Sequence, residues 1–331
     1  MSDSGTFGYK FTVQGSGGVA PRIWTDHVAS AWGAPALCPR YDSMLRLNAA
    51  ATHCTSFSAG GARINPQGEP DTTAASVVQQ LKDVRAQGPF NANDFLLVNG
   101  GGSDIWELVD AFSLKRWDGG RSFLSLVREL TTVTAGGGTS LMQAGETYAK
   151  RLADRLADAL TTQALDVGAQ RVVVLTVPYI TRTPKVLGWL RAMKKTFDRA
   201  GVDGTLAADE LWDAADLWTE AFNRQLNVRF AGHPRVLVVD FNAELENWLR
   251  NPPLYGLSNN HEPACPVTGI NAMGLPTYEI ENCTDALLAA MLPGGDWWKG
   301  YVFADDLRGT PRTNELLGER VLREIAAKGW K

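Results

Sequence analysis

Long apolar runs are missing from this sequence. No stretch approaches the roughly 18 residues that cross a bilayer as a helix, so no transmembrane segment is expected. An excess of basic charge is missing as well: 32 Lys and Arg stand against 36 Asp and Glu, a net charge of -4. That balance leaves no footprint for nucleic acid as a partner. Metal signatures are absent too. No Cys-x-x-Cys occurs, and the four histidines, His27, His53, His233 and His261, are scattered, so neither a metal nor a cofactor is expected. The opening Met1-Ser2-Asp3-Ser4-Gly5 lacks the basic and then apolar stretch of a secretory leader. What is present is ordinary for a globular chain with a sizeable core: 44% hydrophobic and 21% charged residues.

The few cysteines are informative. Cys38 lies near Cys54 and Cys265 near Cys283, each pair among Pro, Gly and Asn residues. Two local disulfides, Cys38–Cys54 and Cys265–Cys283, are the preferred reading; four reduced, buried thiols are the alternative. Bridged cysteines imply folding in an oxidising compartment, which conflicts with the missing leader.

Three continuous apolar runs rich in β-branched residues suit parallel strands covered on both faces: Phe95–Val98, Val172–Val177 and Val236–Val239. Helical spacing appears between and beyond them. Val77, Val78, Leu81 and Val84 share a face. Leu152, Leu156 and Leu160 fall at i, i+4 within a helix expected over 140–165, and Leu211 to Leu226 mark another. A last helix is expected from about Thr313, with Leu316, Leu317, Val321, Leu322 and Ile325 inward. This alternation predicts a three-layer α/β/α sandwich with a flavodoxin-like parallel sheet. No composition shift divides residues 1–331, so a single domain is expected. Residues 251–298 are poor in periodicity and hold one cysteine pair, and they read as a stapled surface excursion.

In an open parallel sheet, ligands bind beyond the carboxyl ends of the strands. Three segments suit that rim: Ser58–Arg63, the Gly100-Gly101-Gly102-Ser103-Asp104 turn, and Phe303–Pro311. Each also has a purely structural explanation, because glycine after a strand supplies positive φ and Asp104 or Thr310 could cap a helix. The spacing at Gly100–Gly102 is neither a dinucleotide fingerprint nor a Walker loop, which ranks a flavodoxin-like nucleotide site low.

Together and in this order, the segments resemble the blocks of the SGNH/GDSL ester hydrolases, in the lipase/esterase and phospholipase-like branch. Ser58–Arg63 looks like the second block, with Gly61 at the oxyanion glycine and Gly60 the alternative. Gly101–Asp104 is similar to the third block, and Asp305–Gly309 to the last, with Asp305 at the triad acid. Ser2–Phe7 resembles the stretch just after the nucleophile. The paired cysteines and Asp296-Trp297-Trp298 fit the same branch. The resemblance implies a carboxyl-ester hydrolase acting on a small-molecule or lipid ester, secreted or periplasmic in full length.

The departures are specific. Met1 occupies the position after the nucleophile, so the resemblance implies a missing first strand and serine, and a native start other than Met1. Ser103 stands where the oxyanion asparagine belongs, Arg308 where the triad histidine belongs, and Gly309 where the proline belongs. Arginine, with a pKa above about 12, cannot act as the general base at neutral pH. Ser2, Ser4 and His261 are weak substitutes for the lost groups. An Arg308–Asp305 salt bridge is the expected replacement for the His–Asp pair. The chain therefore reads as an inactive or severely impaired hydrolase, or as a pseudoenzyme binding an acyl or anionic ligand without turnover.

Overall fold

The computed structural model of the chain describes residues 5–67, 72–133 and 140–330. It divides into two compact units, each assembled from separated segments. One comprises Gly61–Arg182 and Trp189–Val238. The other comprises Met1–Gly60, Thr183–Gly188 and Val239–Lys331. Because both units interleave along the chain, no shift in composition marks a boundary between them.

The first unit carries the expected α/β elements. Its sheet has strands β1 (Leu96–Val98), β2 (Val172–Leu175) and β3 (Val236–Val239) in the order β1-β2-β3. β1 and β2 run parallel, with Leu96 opposite Val172 and Val98 opposite Val174. All four residues of β2 are buried, as an unalternated β-branched run requires in the middle of a covered sheet. The run continues in sequence to Val177, but the strand ends at Leu175. Beyond it, the Asn223 side chain takes the place of a neighbouring strand. Val177 N donates to Asn223 Oδ1 at 2.8 Å, and Asn223 Nδ2 donates to Val177 O at 2.7 Å.

Two long helices cover this unit's core. The Leu141–Leu160 helix starts at a Ser140/Gln143 capping box and runs on through a π-turn at Thr161–Leu165, matching the span expected from leucine spacing. Leu152, Leu156 and Leu160 are fully buried. The Gly204–Phe230 helix is N-capped by Asp203, whose side chain accepts from Leu206 N. The two helices meet where Trp218 lies over Gly145. The fully buried Trp218 donates from Nε1 to Met142 O at 3.0 Å and packs against Phe112 and Phe123, with ring centroids 5.2 and 5.5 Å away.

In the second unit, the Trp24–Ala31 helix packs on the Pro311–Ala327 helix. Gly318 permits the approach, since a Cβ there would lie 2.6 Å from His27 Cβ. The disulfides Cys38–Cys54 and Cys265–Cys283 are both formed. Residues 251–298 do more than cover the surface. Asn259–Pro263 pairs in parallel with Tyr301–Phe303, and Gly269–Ile270 pairs antiparallel with Pro276–Thr277. Cys265, Ile280, Cys283, Leu288 and Trp298 are buried with Phe11 and Val13 in one apolar cluster. Periodicity did not reveal this segment because its core residues are carried on short, irregular pieces. Among the described residues, no helix is long and apolar enough to cross a membrane.

Gly145→Ala tests the helix contact. Alanine is the better helix former by roughly 0.5–1 kcal/mol, but its Cβ would overlap the Trp218 indole ring, and overpacking costs about 1–3 kcal/mol. The clash should win. The urea midpoint is expected to fall with an unchanged m-value; an equal or higher midpoint would refute the contact.

Candidate functional site

The residues singled out in the sequence fall in both units. Gly61, Ser103 and Asp104 belong to the sheet-bearing unit. Gly61 is exposed, with φ +79 and open space where a Cβ would stand. No strand forms at Ser58–Ala59. The chain instead makes isolated bridges, Pro39 with Ser56 and Arg63 with Ser76. After Gly61 it runs beside the start of the Val77–Arg85 helix, with Arg63 N donating to Ala75 O and Val77 N to Arg63 O, both at 2.8 Å.

The glycine turn after β1 lies against the same stretch. Gly101, at φ 103, is the N-cap of the Gly102–Ser113 helix. A Cβ on it would come 2.8 Å from the Phe222 ring and 3.0 Å from Val177, so both the backbone angle and the space demand glycine. Asp104 does not cap this helix. It reaches back to the other turn and accepts from Ile64 N at 3.0 Å and Asn65 N at 2.8 Å, one N–H per carboxylate oxygen. Burial pushes the Asp104 carboxyl up to about 6, against the lowering effect of those two N–H groups and of the Arg63 charge. Asn65 extends the network, donating to Glu129 at 2.7 Å and to the Tyr148 hydroxyl at 3.1 Å, while Arg63 pairs with Glu107 at 2.8 Å. Ser103 is half-buried in the first turn of the helix, where backbone N–H groups favour negative charge.

Asp305 and Arg308 belong to the other unit, and there the expected salt bridge is present. Asp305 is fully buried. Its Oδ1 accepts from Leu307 N at 2.9 Å and Arg308 N at 2.6 Å, while its Oδ2 receives Arg308 Nη1. The turn closes as Ala304 N donates to Arg308 O at 2.7 Å. Thr310 caps the Pro311–Ala327 helix through Thr313 N, as its position before that helix suggested.

The Arg308 guanidinium lies 4.3 Å from the Phe11 ring centroid, a cation–π distance. The same ring occupies the space where a Cβ on Gly60 would project. Gly60, the alternative oxyanion glycine, is therefore joined to the Arg308–Asp305 pair through Phe11. Sequence reading missed Phe11, because its partners Gly60 and Arg308 lie far from it in sequence and no motif joins them. It also missed Asp306 and Tyr278. Burial and the neighbouring Asp305 charge push the Asp306 carboxyl up to about 6, while Lys185 and Arg308 oppose the shift. Burial, with Asp306 and Asp305, pushes the Tyr278 hydroxyl up to about 12.

Of the substitutes, His261 is exposed and its Nδ1 lies 3.1 Å from Asn260 Oδ1. Ser2 and Ser4 lie outside the described residues. No protein-family model and no curated protein sequence matches this chain.

Asp104 should leave a trace in the pH dependence of stability. Its folded pKa is raised above the roughly 3.9 of an unfolded aspartate. The folded chain therefore holds a proton that the unfolded chain has released, and stability falls as pH rises from about 4 to about 6. Asp104→Ala should flatten that slope in denaturant titrations. It should also lower stability by roughly 1–3 kcal/mol for each N–H left unpaired at Ile64 and Asn65. An unchanged slope would remove Asp104 from this role.

Proposed function

We propose that this chain is an SGNH/GDSL-like domain of the three-layer α/β/α type, and that it holds an acyl or anionic small ligand without hydrolysing it. The parallel sheet with its glycine turn opening the Gly102–Ser113 helix supports the fold reading. The commitment of Asp305 carries the functional one. In a working Ser-His-Asp site the acid keeps an oxygen for the imidazole and stabilises the charge that forms on it. Here one oxygen of Asp305 serves two backbone N–H groups and the other serves a permanent guanidinium cation. An acid held in this way orients no base, and Arg308 accepts no proton from a nucleophile.

The partly exposed side of Arg308, 24% accessible, offers a fixed positive charge for a carboxylate or phosphate. Ser103 supplies a hydroxyl where the family has an amide, a shorter arm for an oxyanion. Loss of one oxyanion donor costs roughly 10²–10³ in rate, and loss of the base costs more. The two disulfides fit an extracellular or periplasmic setting.

Two measurements test the reading. Turnover of p-nitrophenyl butyrate should be no faster for the wild-type chain than for Asp305→Asn, and Arg308→His should remain equally inert. Calorimetric titration with butyrate and with inorganic phosphate should detect binding of at least one of them. Arg308→Gln should weaken that binding roughly tenfold, the scale of a lost charge-assisted hydrogen bond. Hydrolysis that depends on Asp305, or gain of turnover in Arg308→His, would restore the hydrolase reading. Failure of both anions to bind would refute the ligand assignment.

A further inference from the structure

The peripheral disulfide has an unusual neighbour. Among the described residues, one group of three metal-ligating side chains comes together: the sulfurs of Cys38 and Cys54 and a ring nitrogen of His53, all within 4.8 Å of one another. His53 Nε2 lies 3.6 Å from Cys54 Sγ. We propose that Cys38, His53 and Cys54 form a redox-gated metal site, masked while the disulfide stands and able to take one zinc-class divalent cation once a dithiol reductant opens it.

The loop holds its shape without the covalent bond. Arg40 N donates to Ser56 O at 2.8 Å, Ser56 N to Cys38 O at 3.2 Å, and Asn48 N to Arg40 O at 2.9 Å. The Arg40 guanidinium adds a bond to Asn48 O. Cys54 N donates to Ala51 O at 3.0 Å, and Tyr41 meets Phe57 edge to face at 6.0 Å. These contacts tie both flanks of the loop together, so the two sulfurs stay neighbours after reduction. Tetrahedral zinc, with Zn–S near 2.3 Å and Zn–N near 2.0 Å, needs the sulfurs about 3.8 Å apart and each about 3.5 Å from the nitrogen. The His53–Cys54 separation, 3.6 Å, is already close to that value. The Cys38 side chain must rotate, parting the sulfur pair and settling within reach of the His53 nitrogen, from which it starts no more than 4.8 Å away.

Access favours this bridge over the other. Cys38 is half-buried and His53 exposed, whereas Cys265 and Cys283 are both buried in an apolar cluster. One thiolate of the dithiol attacks Cys38 Sγ, and Cys54 leaves as the thiolate beside His53. The second thiol of the reductant then displaces Cys38, so the reductant departs as a disulfide. Two electrons and two protons have passed to the cysteines. Metal binding releases those two protons from the thiols. Water completes the coordination on the exposed side of His53, as in three-ligand zinc sites.

The full chain, treated anaerobically with a water-soluble phosphine that does not bind metal, should be titrated with Co²⁺ as the optical probe. Peptide mapping of alkylated thiols identifies which bridge has opened. Expected is one cobalt per chain, with thiolate-to-metal absorption in the near ultraviolet and tetrahedral bands in the visible. Both should appear only after reduction and be displaced by Zn²⁺. Cys38→Ser with Cys54→Ser should abolish the signal. His53→Ala should weaken binding at least tenfold, about the least a lost ligand can cost when outer-sphere partners alone are worth 10–100-fold. The proposal is overturned if Cys38 and Cys54 are free and no cobalt–thiolate band forms, or if the band survives in the double-serine variant. Failure of the bridge to open in the folded chain would overturn it, as would loss of far-ultraviolet circular dichroism on reduction.

Discussion

Carboxylates removed from water must be answered by donors, and both units are organised around that demand. Asp104 and Asp305 have almost no exposure, and each accepts two backbone N–H bonds. Asp104 spends one oxygen on each donor and so ties the chain after Gly61 to the start of the Gly102–Ser113 helix. Asp305 spends one oxygen on two donors of its own turn and keeps the other for Arg308. Without Asp104, the Ile64 and Asn65 amides would lie buried and unpaired, and without Asp305 the half-buried Leu307 and Arg308 amides would lose their acceptor. The same side-chain type thus serves as a clamp in one unit and as a clamp with a counter-charge in the other.

That difference bears on chemistry. A catalytic acid is useful in proportion to the capacity it keeps for a partner that changes charge during the reaction. Arg308 does not change charge, and its guanidinium is held from two sides, by Asp305 and by the Phe11 ring. The charge of Asp305 is thereby matched by a cation that does not titrate near neutral pH.

The disulfides divide by surroundings in a similar way. Cys265–Cys283 is wrapped by Phe11, Val13, Ile280 and Leu288 and belongs to the core of its unit. Cys38–Cys54 closes a loop whose flanks already hydrogen-bond to one another, and an exposed histidine ring stands beside it. Similar spacing in sequence, 16 and 18 residues, conceals these different settings. Chain-entropy arguments treat two such loops alike; only their neighbours tell them apart.

Features whose cause is local were legible in the chain as written. The β-branched runs became β1, β2 and β3, leucines four apart became the buried stripe of the Leu141–Leu160 helix, Thr310 became a cap, and neighbouring cysteines became bridges. The Arg308–Asp305 pair was foreseeable for the same reason, since its members lie at i and i+3. What joins distant positions was not legible. Asn223 completes the backbone of Val177, Phe11 lies between Gly60 and Arg308, and Trp218 requires Gly145. Propensity and periodicity report what a residue does within a few positions of itself. Those contacts arise when separate segments are packed together, and no local pattern encodes which partner each will meet.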